Sequence, residues 1–203
     1  MAASAELRDL LAGSPLDVAP RLLGAVVRHG EVAVRLTEVE AYAGADDPGS
    51  HAYRSRTPRN EVMFGPAGHL YTYFSYGMHV CANVVTGLPG TASAVLLRAG
   101  EIVEGHDVAR SRRGSSTERD LARGPARLCQ ALGITLEHGG VDLLAGPVLL
   151  ELDEPTAAGA VSTGPRVGLR GAPDRPWRFW ITGESTVSAY RPAKRLTPPN
   201  QPR

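Results

Sequence analysis

Lysine is almost missing from this chain of 203 residues, although lysine and arginine together number 22. The single lysine is Lys194, and it lies in a proline-rich tail at about residues 191–203. An enzyme that forms a Schiff base with its substrate needs an amine nucleophile in its active site. The scarcity of lysine therefore argues against Schiff-base chemistry and favours an enzyme that uses water.

Cysteine is also scarce, and its two occurrences, Cys81 and Cys129, lie far apart in apolar surroundings. Neither belongs to a CxxC motif, and no histidine-rich ligand spacing lies nearby. This pattern disfavours a disulfide framework, a zinc site and an iron–sulfur cluster. We expect neither a bound metal nor a cofactor.

Long hydrophobic runs are lacking, and none approaches the length of a membrane span. The first residues, MAASAELRDLL, begin polar and do not show the basic-then-apolar pattern of a secretory signal. We therefore expect a cytoplasmic protein with no membrane association.

The formal net charge of +1 is close to zero. A nearly neutral chain neither indicates nor excludes a polyanionic partner, which only a local basic face would reveal. The length fits one domain that can bury a hydrophobic core. We expect a single domain over residues 1–203.

Hydrophobic spacing predicts short helices first and mainly strands afterwards. Apolar residues at helical spacing place helices at about residues 5–28, and Gly124-Pro125 begins a helix that ends at Gly133. Strands are predicted, in chain order, at residues 31–42, 70–76, 79–85, 94–99, 148–152, 161–169 and 178–182. The second to fourth of these could form an antiparallel meander. The charged residues 106–121 indicate a solvated helix end or a mobile loop.

The segment between Thr37 and Asn83 combines three kinds of side chain. Glu40 and Tyr42 end the first predicted strand, on the parity of its apolar residues. A long loop then carries a histidine and three arginines, and the next strand is rich in tyrosine. A protein that takes a base out of a duplex and cuts its glycosidic bond needs a carboxylate to activate water, cations for phosphates and rings for stacking.

Five segments in this order carry a family resemblance: TEVEAYAGADDPGSHAY, TPRNEVMFGPAGHLYTYFSYGMHVCANVV, AVLLRA, GPARLCQALGI and PWRFWITG. Together they resemble the alkyladenine (3-methyladenine) DNA glycosylase family of the mammalian type, which includes bacterial members. The resemblance covers roughly residues 15 to 190. It implies a mixed α/β (α+β) domain with a curved antiparallel sheet flanked by helices, a base-flipping mechanism and no metal.

The resemblance also implies roles for individual residues. On the family pattern, Glu40 is the base that activates the water, and Arg98 helps to position that water. Tyr42, His51 and Tyr73 match the residues that sandwich the flipped base.

Two further residues match the family pattern, and the loop supplies three cations. Asn83 matches a pocket residue that obstructs the 2-amino group of guanine, and Tyr76 matches the side chain that wedges into the duplex. Arg54, Arg56 and Arg59 are candidate contacts to DNA phosphate.

Alternative interpretations stay open at several of these positions. Glu38 shares a face with Glu40 but lacks the match, so it is left outside the catalytic set, and a glutamate at a strand end is often simply solvated. Asn83 could instead satisfy a buried backbone group. His51 could be a loop histidine, or the acid that protonates a neutral leaving base.

The expected function is that of a monofunctional DNA N-glycosylase that starts base excision repair. It would act as a monomer, at the nucleoid, on double-stranded DNA that carries 3-methyladenine, hypoxanthine or ethenoadenine. The lack of a usable lysine predicts that it has no lyase activity. One alternative is a protein that binds damaged bases without cleaving them, and another is an enzyme acting on RNA or on free nucleotides.

Overall fold

A computed structural model gives the architecture and describes residues 2–75, 77–153 and 156–193. These residues form one α+β domain. Helices α1 to α4 span Ala2–Leu11, Pro15–Arg21, His106–Arg113 and Pro125–Leu132. Strands β1 to β8 span Val26–His29, Val32–Tyr42, Leu70–Ser75, His79–Val85, Ala94–Glu104, Val148–Glu151, Val161–Gly164 and Arg178–Ile181. No helix within these ranges is both long enough and apolar enough to cross a membrane.

The strands join one antiparallel sheet in the order β3-β4-β5-β2-β1-β6, with β8 and β7 attached beside β2. The predicted meander of β3, β4 and β5 is therefore present. Strand β2 pairs with β5 along one edge, and its other edge is shared by β1 and, at residues 38–40, by β8. Neighbouring strands on both edges hold the backbone at residues 38–40. They thereby fix the positions of the Cα atoms from which these side chains project.

The hydrophobic core lies between this sheet and helices α2 and α4, which pack on β2, β4 and β5. Leu36, Leu97 and Leu132 are fully buried there, and burial of each such side chain contributes about 1.5–3 kcal/mol. Helix α4 begins at Pro125 and ends where Gly133 adopts a left-handed φ of 74°. The sequence predicted this helix from the same two residues.

Three predicted elements have different limits. Val26–His29 is a strand and not part of an N-terminal helix, because it pairs with β2 on one edge and β6 on the other. A four-residue segment has little helical preference of its own, so its pairing partners decide its conformation. The strand predicted at 94–99 continues to Glu104, and the one predicted at 161–169 ends at Gly164.

The long loop from Asp46 to Gly68 is packed against the domain. It contains a short 3-10 helix at Glu61–Phe64, and the side chain of Asp47 within it is fully buried. An oxygen of Asp47 accepts the Gly49 N–H at 3.0 Å. The start of the loop is therefore anchored to the domain, while residues 53–59 are exposed.

Candidate active site

A cavity of about 1000 Å³ lies beside the C-terminal half of β2. Its walls come from β2, β3, β4, β5, the loop after β2, the start of α4 at Pro125, and segments at residues 167–170 and 191–193. The predicted site residues among those that line it are Glu40, Tyr42, His51, Arg59, Tyr73, Asn83 and Arg98. The fold thus gathers side chains from four strands and a loop around one space.

The carboxylate of Glu40 is fully buried and contacted by three donor groups. The Tyr42 hydroxyl donates to Oε2 at 2.8 Å, and the Val167 N–H donates to Oε1 at 2.8 Å. Arg98 Nε lies 3.5 Å from Oε1. Each carboxylate oxygen has a hydrogen-bond donor, so the negative charge is stabilised despite its removal from bulk water.

Arg98 lies between two carboxylates and is itself only 8% exposed. Its Nε is 2.8 Å from Glu38 Oε1, closer than it is to Glu40. Burial lowers the pKa of the guanidinium, but the charges of Glu40 and Glu38 outweigh that effect and leave the pKa above its ordinary value. Arg98 therefore places a permanent positive charge beside Glu40.

Tyr42 connects Glu40 to the wall of the cavity. Burial raises its pKa well above the ordinary value, and the neighbouring negative charge of Glu40 adds to the effect. The phenol therefore keeps its proton and stays a hydrogen-bond donor to Glu40. The Arg166 guanidinium carbon lies 4.6 Å from the centre of the Tyr42 ring, a cation–π contact that supports the ring.

Arg166 in turn belongs to a fully buried ion pair with Asp47. Arg166 Nη2 donates to Asp47 Oδ1 at 2.7 Å, Nη1 donates to the other carboxylate oxygen, and Nη1 also donates to the Ala41 carbonyl at 2.9 Å. This pair ties the loop after β2 to the backbone between Glu40 and Tyr42. It therefore holds both residues in place.

Three aromatic rings form another part of the wall. His51 and Tyr73 are perpendicular, with ring centres 4.5 Å apart, and Tyr71 stacks near Tyr73 at 5.6 Å. His51 Nδ1 and the Tyr71 hydroxyl are 3.1 Å apart. Because the first two rings are perpendicular, a flat base can stack on only one of them and must present an edge to the other.

The charge of His51 is set by its surroundings. Partial burial lowers its pKa, and the nearby Arg59 guanidinium lowers it further. The imidazole is consequently neutral at pH 7. A neutral histidine serves better as a stacking surface than as a donor of a proton to a leaving base.

Asn83 lines the cavity and is 4% exposed. Its amide nitrogen donates to the Tyr71 carbonyl at 3.1 Å. The backbone contact considered as an alternative from sequence is therefore present. It also holds the amide in one orientation at the cavity wall.

The three loop arginines have different surroundings. Arg56 Nε donates to Glu61 at 2.6 Å. Arg59 donates to the Phe74 carbonyl at 2.9 Å and lines the cavity. Arg54 is exposed, and within the described part of the chain it has no hydrogen bond or ion pair. Of the three, Arg54 has its guanidinium available without breaking a contact.

Tyr76 lies outside the described residues, as does Lys194. On either side of Tyr76, the hairpin between β3 and β4 exposes two large apolar side chains, Phe74 at 48% and Met78 at 70%. Isolated exposed apolar residues are common, but two at one hairpin tip next to the cavity indicate a contact surface.

Sequence reasoning missed several residues that contact the predicted set. Tyr71 belonged to the tyrosine-rich strand, and Asp47 to the segment TEVEAYAGADDPGSHAY that carries part of the family resemblance, so a signal existed for both. Val167 and Arg166 carried no signal, because they meet Glu40 and Tyr42 only through the tertiary fold. No group of three or more histidine, cysteine or acidic residues suited to a metal occurs among residues 2–75, 77–153 and 156–193.

The fold and this site define an α+β protein with a buried carboxylate inside an aromatic-lined cavity. Comparison with protein families finds that residues 9–185 match the family described as methylpurine-DNA glycosylase (MPG). The chain therefore belongs to the methylpurine-DNA glycosylase family.

Similar proteins occur in several bacteria. The chain is 56% identical over 189 residues to a protein of Nocardia farcinica, with 89% of each chain covered. It is 55% identical over 197 residues to one of Leifsonia xyli subsp. xyli, covering 91% of this chain and 92% of the other. Each of these relatives bears the name "Putative 3-methyladenine DNA glycosylase".

Proposed function

We propose that this protein is a monofunctional DNA N-glycosylase that removes alkylated or deaminated purines from duplex DNA and so starts base excision repair. The observation that carries the proposal is the Glu40 carboxylate, buried at a ring-lined cavity and contacted by Tyr42 and Arg98. Family membership and the names of the relatives agree with this activity.

In the proposed reaction, Glu40 takes a proton from a water molecule as that water attacks C1′ of the deoxyribose. The glycosidic bond breaks, and its electron pair leaves with the base. A cationic alkylated purine departs as a neutral base, whereas hypoxanthine departs as an anion that takes a proton from water, and Glu40 then returns its own proton to solvent. Positive charge grows on the sugar during this step, so the carboxylate also stabilises the transition state electrostatically. Arg98 would orient the water, and the products are a free base and an abasic site.

The proposed base site uses the rings of the cavity. A flipped base loses its stacking in the duplex, and an aromatic platform restores about 1–3 kcal/mol per base. Tyr42 and either His51 or Tyr73 would hold the two faces, while the perpendicular ring meets the edge of the base. Asn83, held by its bond to the Tyr71 carbonyl, would clash with the 2-amino group of guanine.

The proposed DNA contacts lie around the mouth of the cavity. Tyr76 would enter the space left by the flipped nucleotide. Phe74 and Met78, which precede and follow it in the chain, are exposed and would contact the duplex there. Among the loop arginines, Arg54 is the strongest candidate for a phosphate, since Arg56 would first have to leave Glu61. We further propose that the chain acts as one domain and as a monomer.

Excision assays on a panel of duplexes test the proposed function. Duplexes carrying hypoxanthine, ethenoadenine or 3-methyladenine are incubated with excess enzyme, and the free base is measured. We expect release of at least one of these bases, with strand breakage only after alkali, because we propose that Lys194, the single lysine, takes no part in the reaction. Binding without any product would favour a damaged-base binding protein, and breakage without alkali would contradict the absence of lyase activity.

Replacement of Arg59 by glutamine is expected to change the preference among lesions. The Arg59 charge lowers the pKa of His51 at the cavity and would repel a positively charged alkylated base. Because Arg59 is exposed, the effect is small, and we expect the rate on a cationic purine relative to hypoxanthine to rise about threefold. Single-turnover rates on both duplexes measure this ratio.

Arg54→Gln is the matched control for Arg59, since it removes an exposed guanidinium of the same loop. It is expected to weaken binding to both duplexes alike and to make binding less dependent on salt. An unchanged ratio in Arg59→Gln would contradict a role for Arg59 in lesion preference.

A further inference from the structure

Glu38 lies two residues before Glu40 and is completely buried. Its Oε1 accepts from Arg178 Nε at 2.6 Å and from Ser188 Oγ at 3.0 Å, and its Oε2 accepts from the Ser188 N–H at 2.7 Å. Arg98 Nε lies 2.8 Å from the same Oε1. Three donors therefore hydrogen-bond to this one carboxylate, and Arg98 forms an ion pair with it without a hydrogen bond from Nε.

The residues that hydrogen-bond to the Glu38 carboxylate do not line the cavity. Arg178 belongs to β8, and its Nη2 donates to the Ser188 carbonyl at 2.7 Å. The neighbouring Thr186 hydroxyl donates to Thr37 Oγ1 at 2.9 Å, which fixes the segment that contains Ser188 against β2. Glu38 is not among the residues that line the cavity, so it has no access to a reacting water.

Arg98 is shared unequally between the two glutamates. It lies 0.7 Å closer to Glu38 than to Glu40, from distances of 2.8 and 3.5 Å. A guanidinium paired fully with Glu40 would hold the charge of that carboxylate and make it a weaker acceptor of a proton.

We propose that Glu38 is a positioning residue that keeps Arg98 beside Glu40 without letting it pair fully with Glu40, and so leaves the Glu40 carboxylate free to take a proton from water. This inference rests on the proposed function, since it concerns the same reaction.

Other groups near Glu40 also contribute to its electrostatic environment. Those that face it from the strands and the segment packed around it are Tyr42 on β2, Tyr73 on β3, Cys81 on β4, Arg98 on β5, Arg178 on β8 and the Val167 N–H. Arg98 is the cation of this group within 4 Å of the Glu40 carboxylate. A movement of the Arg98 guanidinium is therefore expected to affect the pH profile of excision more than any change in the other groups.

The test compares pH profiles of single-turnover excision by the parent and Glu38→Gln. A carboxylate base works only when ionised, so the rate falls as the pH drops through its titration. If Arg98 closes on Glu40 in the variant, the ionised form persists to lower pH. We expect the acid limb to move down by about one pH unit and the plateau rate to fall about tenfold, while affinity for the damaged duplex stays within about twofold of the parent.

Ser188→Ala is a milder variant that removes one donor from Glu38 without burying a new group. Without that donor, Glu38 Oε1 attracts Arg98 more strongly and draws it away from Glu40. The acid limb is therefore expected to move in the opposite direction to that of Glu38→Gln, with a fall in rate of about threefold, and this variant carries the test if Glu38→Gln does not fold. Glu101→Gln is the matched control, because Glu101 pairs with Arg35 at 2.6 Å on the same pair of strands but away from the cavity. Its pH profile is expected to equal that of the parent.

The two proposals fail in different ways. If Glu40→Gln excises at the parent rate, the proposed function of Glu40 is wrong. If Glu40→Gln is inactive while every folded variant at Glu38 or Ser188 keeps the parent pH profile, only the role of Glu38 is wrong. A lower rate with no movement of the acid limb would also contradict that role, because it would indicate a purely structural contribution.

Discussion

Glu40→Gln is expected to lower the single-turnover rate of base release about a thousandfold, within the range by which a positioned general base accelerates a reaction. The amide has nearly the size of the carboxylate and can still accept the Val167 N–H. It cannot take a proton from water, and it carries no charge to stabilise the developing cation on the sugar. The measurement is excision of hypoxanthine under excess enzyme.

Binding separates this chemical effect from a loss of structure. The rings at Tyr42, His51 and Tyr73 are unchanged in the variant, so affinity for the damaged duplex is expected to remain close to that of the parent. Glu101→Gln, which removes an exposed carboxylate of the same sheet, is expected to keep the parent rate. If Glu40→Gln released the purine at the parent rate, a residue other than Glu40 would have to be the general base.

Asp47→Asn is expected to lower the free energy of unfolding by about 3–5 kcal/mol, the usual cost of removing one partner from a buried ion pair. Asp47 and Arg166 are both fully buried and joined by two hydrogen bonds. The variant leaves the Arg166 charge in the interior without a counterion. Urea denaturation followed by circular dichroism measures the change.

A second ion pair near the same loop provides the control. Glu61→Gln removes a carboxylate paired with Arg56, but both side chains are more than half exposed, so the expected loss is below about 1 kcal/mol. The double variant Asp47→Asn, Arg166→Gln removes the unpaired charge and is expected to recover part of the lost stability. Equal losses in Asp47→Asn and Glu61→Gln would contradict a structural role for the buried pair.

Asp47→Asn should also affect excision, because Arg166 supports the ring of Tyr42 and the backbone at Ala41. A displaced Tyr42 loses its hydroxyl contact with Glu40 as well as its place in the proposed base site. The expected loss of activity therefore exceeds the fraction of protein that is unfolded.

Patterns within single segments predicted most helices and strands correctly, whereas the fold class was implied by the family resemblance. Helix α4 has proline at its start and glycine at its end, and β3 and β4 have the composition of strands around a tight turn, so local interactions agree with the final structure. Strand β1 was missed because four residues contain too little periodicity. Its conformation depends on hydrogen bonds to β2, which follows it directly, and to β6, which lies far along the chain. The second of these partners cannot be identified from the local sequence.

The candidate site was predicted through family resemblance, and the structure brings most of its described members to one cavity. Residue pattern alone could not separate Glu38 from Glu40, since both share one parity along β2. The register of β2 against β5 is irregular around Glu38, and the two carboxylates have different neighbours: Arg178 and Ser188 surround one, while the other lies at the cavity. Side-chain parity carries no information about such partners.

The sequence by itself determined which chemical groups the chain offers and how they are grouped along it: one lysine in the tail, two isolated cysteines, and a carboxylate close to tyrosines, a histidine and arginines. Only the tertiary structure decided how those groups are charged and held. Arg166 reaches Asp47 across 119 positions, and the Val167 N–H reaches Glu40 across 127. Contacts of this kind depend on the packing of the whole chain, because the energy of a buried charge is set by every group that replaces water around it.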